Sequence, residues 1–245
     1  MSASEQQFVD ADLKGARFNR SNLAGAIMRG VDVQGLDIDA PWLCEEGGSL
    51  IVNSVDVAPL VEAELNRRFP GRAERRAPDP EGLRAAWAAL ETSWAAALDR
   101  VRTMPAGTVD ISVEDEWTFT QTLRHLILAT DLWLGKAVLQ ITQPLHPIGL
   151  PHAEFAEDGH DMSVFTSDIP SYDEVLIVRA ERVAMVRDFL ATVTTEYLAQ
   201  ERRNPHAPEY PETVLSCVHV ILNEEWEHVR YALRDLDAIE SQRID

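Results

Sequence analysis

The stretch Asn223-Glu224-Glu225-Trp226-Glu227-His228 sets a carboxylate and an imidazole four positions apart on a predicted helix. Four helical residues turn through one revolution plus roughly 40°, so Glu224 and His228 share a face and can reach one ion. A third candidate, His125, stands in Thr122-Leu123-Arg124-His125-Leu126, inside an apolar stripe rather than on a polar face. An imidazole turned into a helical core is costly unless its ring nitrogens are satisfied. Together the three would supply two imidazoles and one carboxylate with positions left open, the usual donor set of catalytic Zn²⁺, Fe²⁺ or Ni²⁺ sites. Taken singly, an ExxxH pair on an acidic helix is also the pattern of a solvated ion pair, and a core histidine that of a hydrogen-bonded one.

The other reactive side chains offer less. His146, His152 and His160 fall in one long loop and His206 in another, without ligand spacing. His219, nine residues before His228, falls on the opposite helix face. Cys217 lies about three turns from His228, outside reach of the same ion. Glu225 and Glu227 flank Glu224 on other sides of the helix, so neither is assigned as a general base, and no catalytic residue is named.

Four long helices must position these groups. The first spans roughly 79–103, with Asp79 as N-cap, Pro80 at the first helical position, and Leu83, Trp87, Leu90, Trp94, Leu98 and Val101 at spacings of three and four. The second spans roughly 118–140 and carries Leu123, Leu126, Ile127, Leu134 and Val138. A Pro-, His- and Gly-containing loop over 143–170, long for a compact domain, is a candidate lid or pocket wall. The third helix runs from Ser171, with Glu174 completing a capping box, to about Ala199. The fourth runs from Pro211 to about Ile239. Ahead of the bundle, a Glu45-Glu46-Gly47-Gly48 turn, a short strand at Leu50-Ile51-Val52, a helix over 57–68 and a linker at Arg72–Pro80 are expected.

With 41 acidic and 22 basic residues the formal net charge is −19, which excludes a nucleic-acid partner and an anionic membrane surface as the natural binding targets. No apolar run reaches the length of a membrane span. Met1–Asp12 carries neither the basic nor the apolar region of a secretory leader. Two cysteines, Cys44 and Cys217, far apart in sequence, indicate no disulfide framework. The expected location is cytoplasmic.

Before the helices, Phe8, Leu13, Phe18, Leu23, Met28, Val33 and Ile38 recur at intervals of five, preceded two positions earlier by Ala11, Ala16, Ser21, Ala26, Val31 and Leu36 from the second onward. Five fits neither a helix nor a simple strand and marks a repeat. The segment resembles the pentapeptide-repeat family, which implies a right-handed quadrilateral β-helix of about two coils with the central side chains turned inward.

From about 79 to 240 the chain resembles the DinB-like superfamily of metal-binding four-helix bundles. The likeness rests on Trp117-Thr118-Phe119-Thr120-Gln121-Thr122-Leu123-Arg124-His125-Leu126 and on Asn223-Glu224-Glu225-Trp226-Glu227-His228. It implies that His125, Glu224 and His228 hold a divalent metal, zinc first with nickel or iron as alternatives. Glu224 departs from the commoner three-histidine pattern. The expected fold is thus mainly α, a DinB-like four-helix bundle (79–245) after a repeat segment and transition (1–56) and a short helix with linker (57–78). Relatives of the mycothiol-dependent maleylpyruvate isomerase kind imply a metal-dependent enzyme that activates a low-molecular-weight thiol for S-transfer or isomerisation of an electrophile. A coordinated thiol is deprotonated, and the thiolate is the nucleophile. A metal-dependent hydrolase, or a non-enzymatic stress or interaction protein docking through the repeats, are the alternatives, and a homodimer is compatible with either.

Overall fold

The computed structural model describes residues 7–45, 47–157 and 159–242. Met1–Gln6, from the segment tested for a leader, and Glu46 of the expected turn lie outside them. The chain forms two compact units, Met1–Ala40 and Pro41–Asp245. No helix among the described residues is long and apolar enough to cross a membrane.

In the first unit the period of five is written into the backbone. Asp10, Gly15, Arg20, Gly25, Gly30 and Gly35 take positive φ, between 48° and 77°. Every second corner is a closed turn, with Ala16, Ala26 and Leu36 donating to the carbonyls of Leu13, Leu23 and Val33 at 3.0 Å. Asp12, Asn22 and Asp32 brace these turns by accepting from the backbone N–H two residues on. No paired strand occurs among residues 7–40, and Phe8 through Ile38 of the apolar series stay 46–63% exposed. A stack this short leaves its repeats without neighbours on which to bury a continuous core.

The second unit is helical. It begins with a hairpin, β1 (Ile51–Val52) and β2 (Val55–Asp56), turned by Asn53 and Ser54 at positive φ. Helix α1 (Ala58–Arg68) follows. The stretch expected as a linker is instead a packed strap: Arg72–Arg76 forms a 3₁₀ turn against the helices Pro80–Thr103 and Val214–Ser241, with Arg72 and Arg75 buried. Glu62 makes this possible by accepting from Arg72 at 2.9 Å and Arg75 at 2.8 Å. Gly71 turns the chain into the strap at φ +91°, where a Cβ would meet that of Ala89 at 2.3 Å.

The bundle consists of α2 (Pro80–Thr103), α3 (Phe119–Thr130, continued by π-helical turns Asp131–Val138), α4 (Tyr172–Thr192) and α6 (Val214–Ser241). Asp79 caps α2 by accepting from Glu81 and Gly82, and capping boxes open α3 (Thr118 with Gln121) and α4 (Ser171 with Glu174), each cap contributing about 1 kcal/mol. The predicted stripe residues Leu83, Trp87, Leu90, Trp94, Val101, Leu123, Leu126, Ile127, Leu134 and Val138 are all core. Two helix ends differ from expectation. The third helix breaks at Val193, because Thr194 caps a new short helix, α5 (Thr195–Leu198). Pro211–Thr213 is strand β4, paired with β3 (Glu201–Arg203), so α6 starts only at Val214 behind its cap Thr213.

Packing joins α6 to α2 and α3, and α4 to α2 and α3, so α3 and α6 run side by side along the core. The long crossover from α3 to α4 is stitched to α3. The Leu150 N–H donates to the Arg124 carbonyl at 3.1 Å, and Arg124 Nε donates to the Ile148 carbonyl at 2.8 Å. Its other anchor is Asp131, 2% exposed in the π-helical stretch, which accepts from the His146 backbone at 2.8 Å and Arg182 at 2.7 Å.

Candidate metal centre between α3 and α6

The packing of α3 on α6 brings His125, Glu224 and His228 together: one candidate ligand atom from each lies within 4.8 Å of the other two. Among the described residues no other group of three His, Cys, Asp or Glu meets that condition. His125 Nε2 is 3.4 Å from Glu224 Oε2, and the two imidazoles face each other with ring centroids 4.9 Å apart. Ligands about 2.0–2.2 Å from a tetrahedral ion stand roughly 3.4 Å from one another.

The partners of the ring nitrogens sort the tautomers. His228 Nδ1–H donates to the Glu224 carbonyl at 2.7 Å, one turn back on its own helix. His125 Nδ1–H donates to the Leu150 carbonyl at 3.3 Å, on the stitched crossover. Each imidazole thus has Nδ1 engaged by a backbone oxygen, the kind of outer partner that orients metal-binding histidines, and the nitrogens facing Glu224 Oε2 are His125 Nε2 at 3.4 Å and His228 Nδ1 at 3.5 Å. Burial pushes His228 down to about 4, against the pull of Glu224, which keeps the ring neutral near pH 7. Burial would raise Glu224, but the His125 hydrogen bond and the nearby His228, His125 and His152 outweigh it and hold the carboxyl below its usual range. A neutral His228 and an ionised Glu224 are in the states that binding a divalent cation requires. These three residues could hold one.

Trp117 roofs the centre, its ring centroid 4.6 Å from His125 and 6.1 Å from His228, and Tyr231 meets His228 edge-on at 5.8 Å. Beside Glu224 and His228 opens a small cleft of about 100 Å³, lined also by Trp42, Glu45, Arg75, Glu227 and Tyr231. Its two aromatic walls and the polar groups between them leave room for a small chemical group beside the centre. Trp42 and Arg75 belong to the segment read as transition and linker, and nothing in their local sequence announced a role.

The remaining candidates are engaged elsewhere. Glu225, 1% exposed, is clamped by Arg179 at 2.5 and 2.6 Å, and burial raises its carboxyl despite that partner. Glu227 pairs with Arg230 at 2.8 Å while lining the cleft. His219 Nε2–H donates to the Ala77 carbonyl at 3.0 Å, fixing the strap to α6. Burial pushes the Cys217 thiol up to about 12, and burial together with Glu62 raises Cys44, so neither is a ready thiolate. The sequence also dismissed His152, His160 and His206, and the structure gathers them: the rings of His152 and His160 lie 5.4 and 5.3 Å from that of His206.

Two imidazoles and a carboxylate thus converge between adjacent helices of a four-helix bundle. The family model described as the DinB superfamily matches residues 89–232, which is more than half of the chain and includes all three residues of the centre; the chain belongs to that superfamily. Residues 7–39 match the pentapeptide-repeat model in eight copies. Searches of curated proteins and of solved structures return no significant match.

Proposed function

We propose that the protein is a metal-dependent enzyme that activates a low-molecular-weight thiol for transfer to an electrophile or for isomerisation. The observation that carries this reading is the convergence of His125, Glu224 and His228, with both Nδ1 atoms engaged by backbone carbonyls, at the edge of an open cleft. Two imidazoles and a carboxylate suit Zn²⁺ first, with Ni²⁺ or Fe²⁺ as alternatives. Such an ion, when bound, lowers the pKa of a thiol that coordinates it, so that thiolate is present at neutral pH. The nucleophilic sulfur is exogenous in this reading, because burial raises both of the chain's own thiols. Trp117 keeps bulk water from the histidine faces, while Trp42 and Tyr231 offer apolar walls and Arg75 and Glu227 polar groups to orient the thiol's body. Residues 7–40, with left-handed corners every five residues, are read as two coils of a quadrilateral β-helix appended to this enzyme.

The test is spectroscopic. Co²⁺-loaded protein titrated with glutathione, bacillithiol or mycothiol is expected to develop a sulfur-to-metal charge-transfer band with one of them. A Co²⁺ spectrum indifferent to every thiol would overturn thiol activation and leave the metal-dependent hydrolase reading.

A further inference from the structure

A second cavity, of about 380 Å³, lies between the end of the π-helical stretch and the β3–β4 hairpin, with Lys136, Gln140, Glu201, Arg202, Arg203 and Asn204 in its lining. Its volume falls in the range of roughly 300–1,000 Å³ common for small-molecule sites. It shares no lining residue with the cleft beside His228. In a chain of net charge −19 this lining is cationic, three basic side chains against the single carboxylate of Glu201.

Among the described residues none of the three cations makes an ion pair. Arg202 donates to the carbonyls of Val138 at 3.1 Å and Glu201 at 2.8 Å and to Gln200 Oε1 at 3.1 Å, all uncharged oxygens. The carboxylate opposite it in the hairpin register, that of Glu212, accepts instead from Asn204 at 3.0 Å and Ser216 at 2.6 Å. Lys136 is part-buried and donates one N–H to the Pro205 carbonyl at 3.1 Å, which leaves two donors unused. Burial lowers its ammonium, with no carboxylate to offset the cost. Arg203 is exposed, and its guanidinium meets no acceptor among the described residues.

We propose that this cavity is an anion site that takes a small phosphate-bearing molecule, with Lys136 and Arg203 donating to the phosphate oxygens and Arg202 adding its charge. Three positive charges against one negative leave a surplus of two. A phosphate monoester near pH 7 carries about −1.5 to −2 and matches that surplus better than a single carboxylate does. Lysine meets phosphate as a point charge and arginine as a fork of donors, so the pair supplies both modes. The site does not depend on the thiol-activating reading.

Phosphorus NMR of phenyl phosphate titrated with the metal-free full chain tests this. Wild type is expected to broaden the resonance saturably. Lys136→Gln and Arg203→Gln should each weaken binding about tenfold, the loss expected for one charge-assisted hydrogen bond. Glu201→Gln should tighten it by removing the like charge. Should Lys136→Gln fail to fold, Arg203→Gln decides, since the exposed Arg203 side chain holds nothing in the fold. Wild type that shows no saturable binding, or binding that Arg203→Gln leaves unchanged, overturns the site. Binding lost in His125→Ala/His228→Ala and kept in Arg203→Gln would put the phosphate at the three-residue centre instead and equally contradict the proposal.

Discussion

Two polar clusters lie one residue apart on α6 and behave as opposites. Glu225 turns inward to Arg179, which also lies over the Trp94 ring at 5.9 Å, and the pair closes on itself, charge against charge. Glu224 turns to His125 and His228, each of which also has a ring nitrogen on a backbone carbonyl, so its negative charge meets imidazoles and no arginine. The first cluster is a buried ion pair made through Arg179 Nη2, with Nη1 buried and unpartnered. The second is the one proposed to take a cation, and it borders a cleft. A buried carboxylate is therefore no mark of function in itself; the kind of partner it meets is what separates the two.

The largest effect should come from breaking the closed cluster. Arg179→Met leaves Glu225 buried without its counter-charge and is expected to cost about 3–5 kcal/mol in urea denaturation. Arg179→Met with Glu225→Leu should recover most of that loss, since apolar replacement of a buried pair is often neutral. If the double variant were as unstable as the single, the pair would be contributing more than mutual charge compensation.

A third ionic cluster, in the strap, sharpens the comparison through pH. Burial would raise Glu62, but hydrogen bonds from Arg75 and Arg72 outweigh it and hold the carboxyl at about 2. Its folded value is thus below its ordinary value of 4.5. The stability it adds is fully present above 4.5 and is lost as pH falls toward 2. Glu62→Gln should accordingly be less stable than wild type by about 1–3 kcal/mol near pH 7, with the gap closing below pH 4.5. A gap independent of pH would point to packing instead.

The smallest effect is a null. Cys217 is fully buried and its thiol is pushed up to about 12, so iodoacetamide at neutral pH should label it only after unfolding. Rapid labelling of the native chain would mean that the core opens near α6.

Much of this was readable before any coordinates. His125, Glu224 and His228 were picked out by type and spacing, and the stripe residues of α2 and α3 by period, because helical periodicity is a local property of the chain. The contacts that define the centre's chemistry were not. Leu150 reaches His125 across a crossover whose path depends on Asp131, itself placed by π-helical turns that no residue pattern announced. The strap was misread for a related reason: three arginines look like a solvated linker until Glu62, ten residues before Arg72, is seen to pair with two of them. His160 and His206 were set aside on spacing alone, and only the tertiary fold puts them 3.4 Å apart.

The most direct measurement is elemental analysis of the purified full-length protein beside its His125→Ala/His228→Ala variant, both checked for helical content. Near-stoichiometric zinc, nickel or iron in wild type, lost or greatly reduced in the variant, is the expected result. Wild type that carries no such ion and takes up none on titration, or a variant that binds metal as tightly as wild type, would contradict a metal centre at His125, Glu224 and His228.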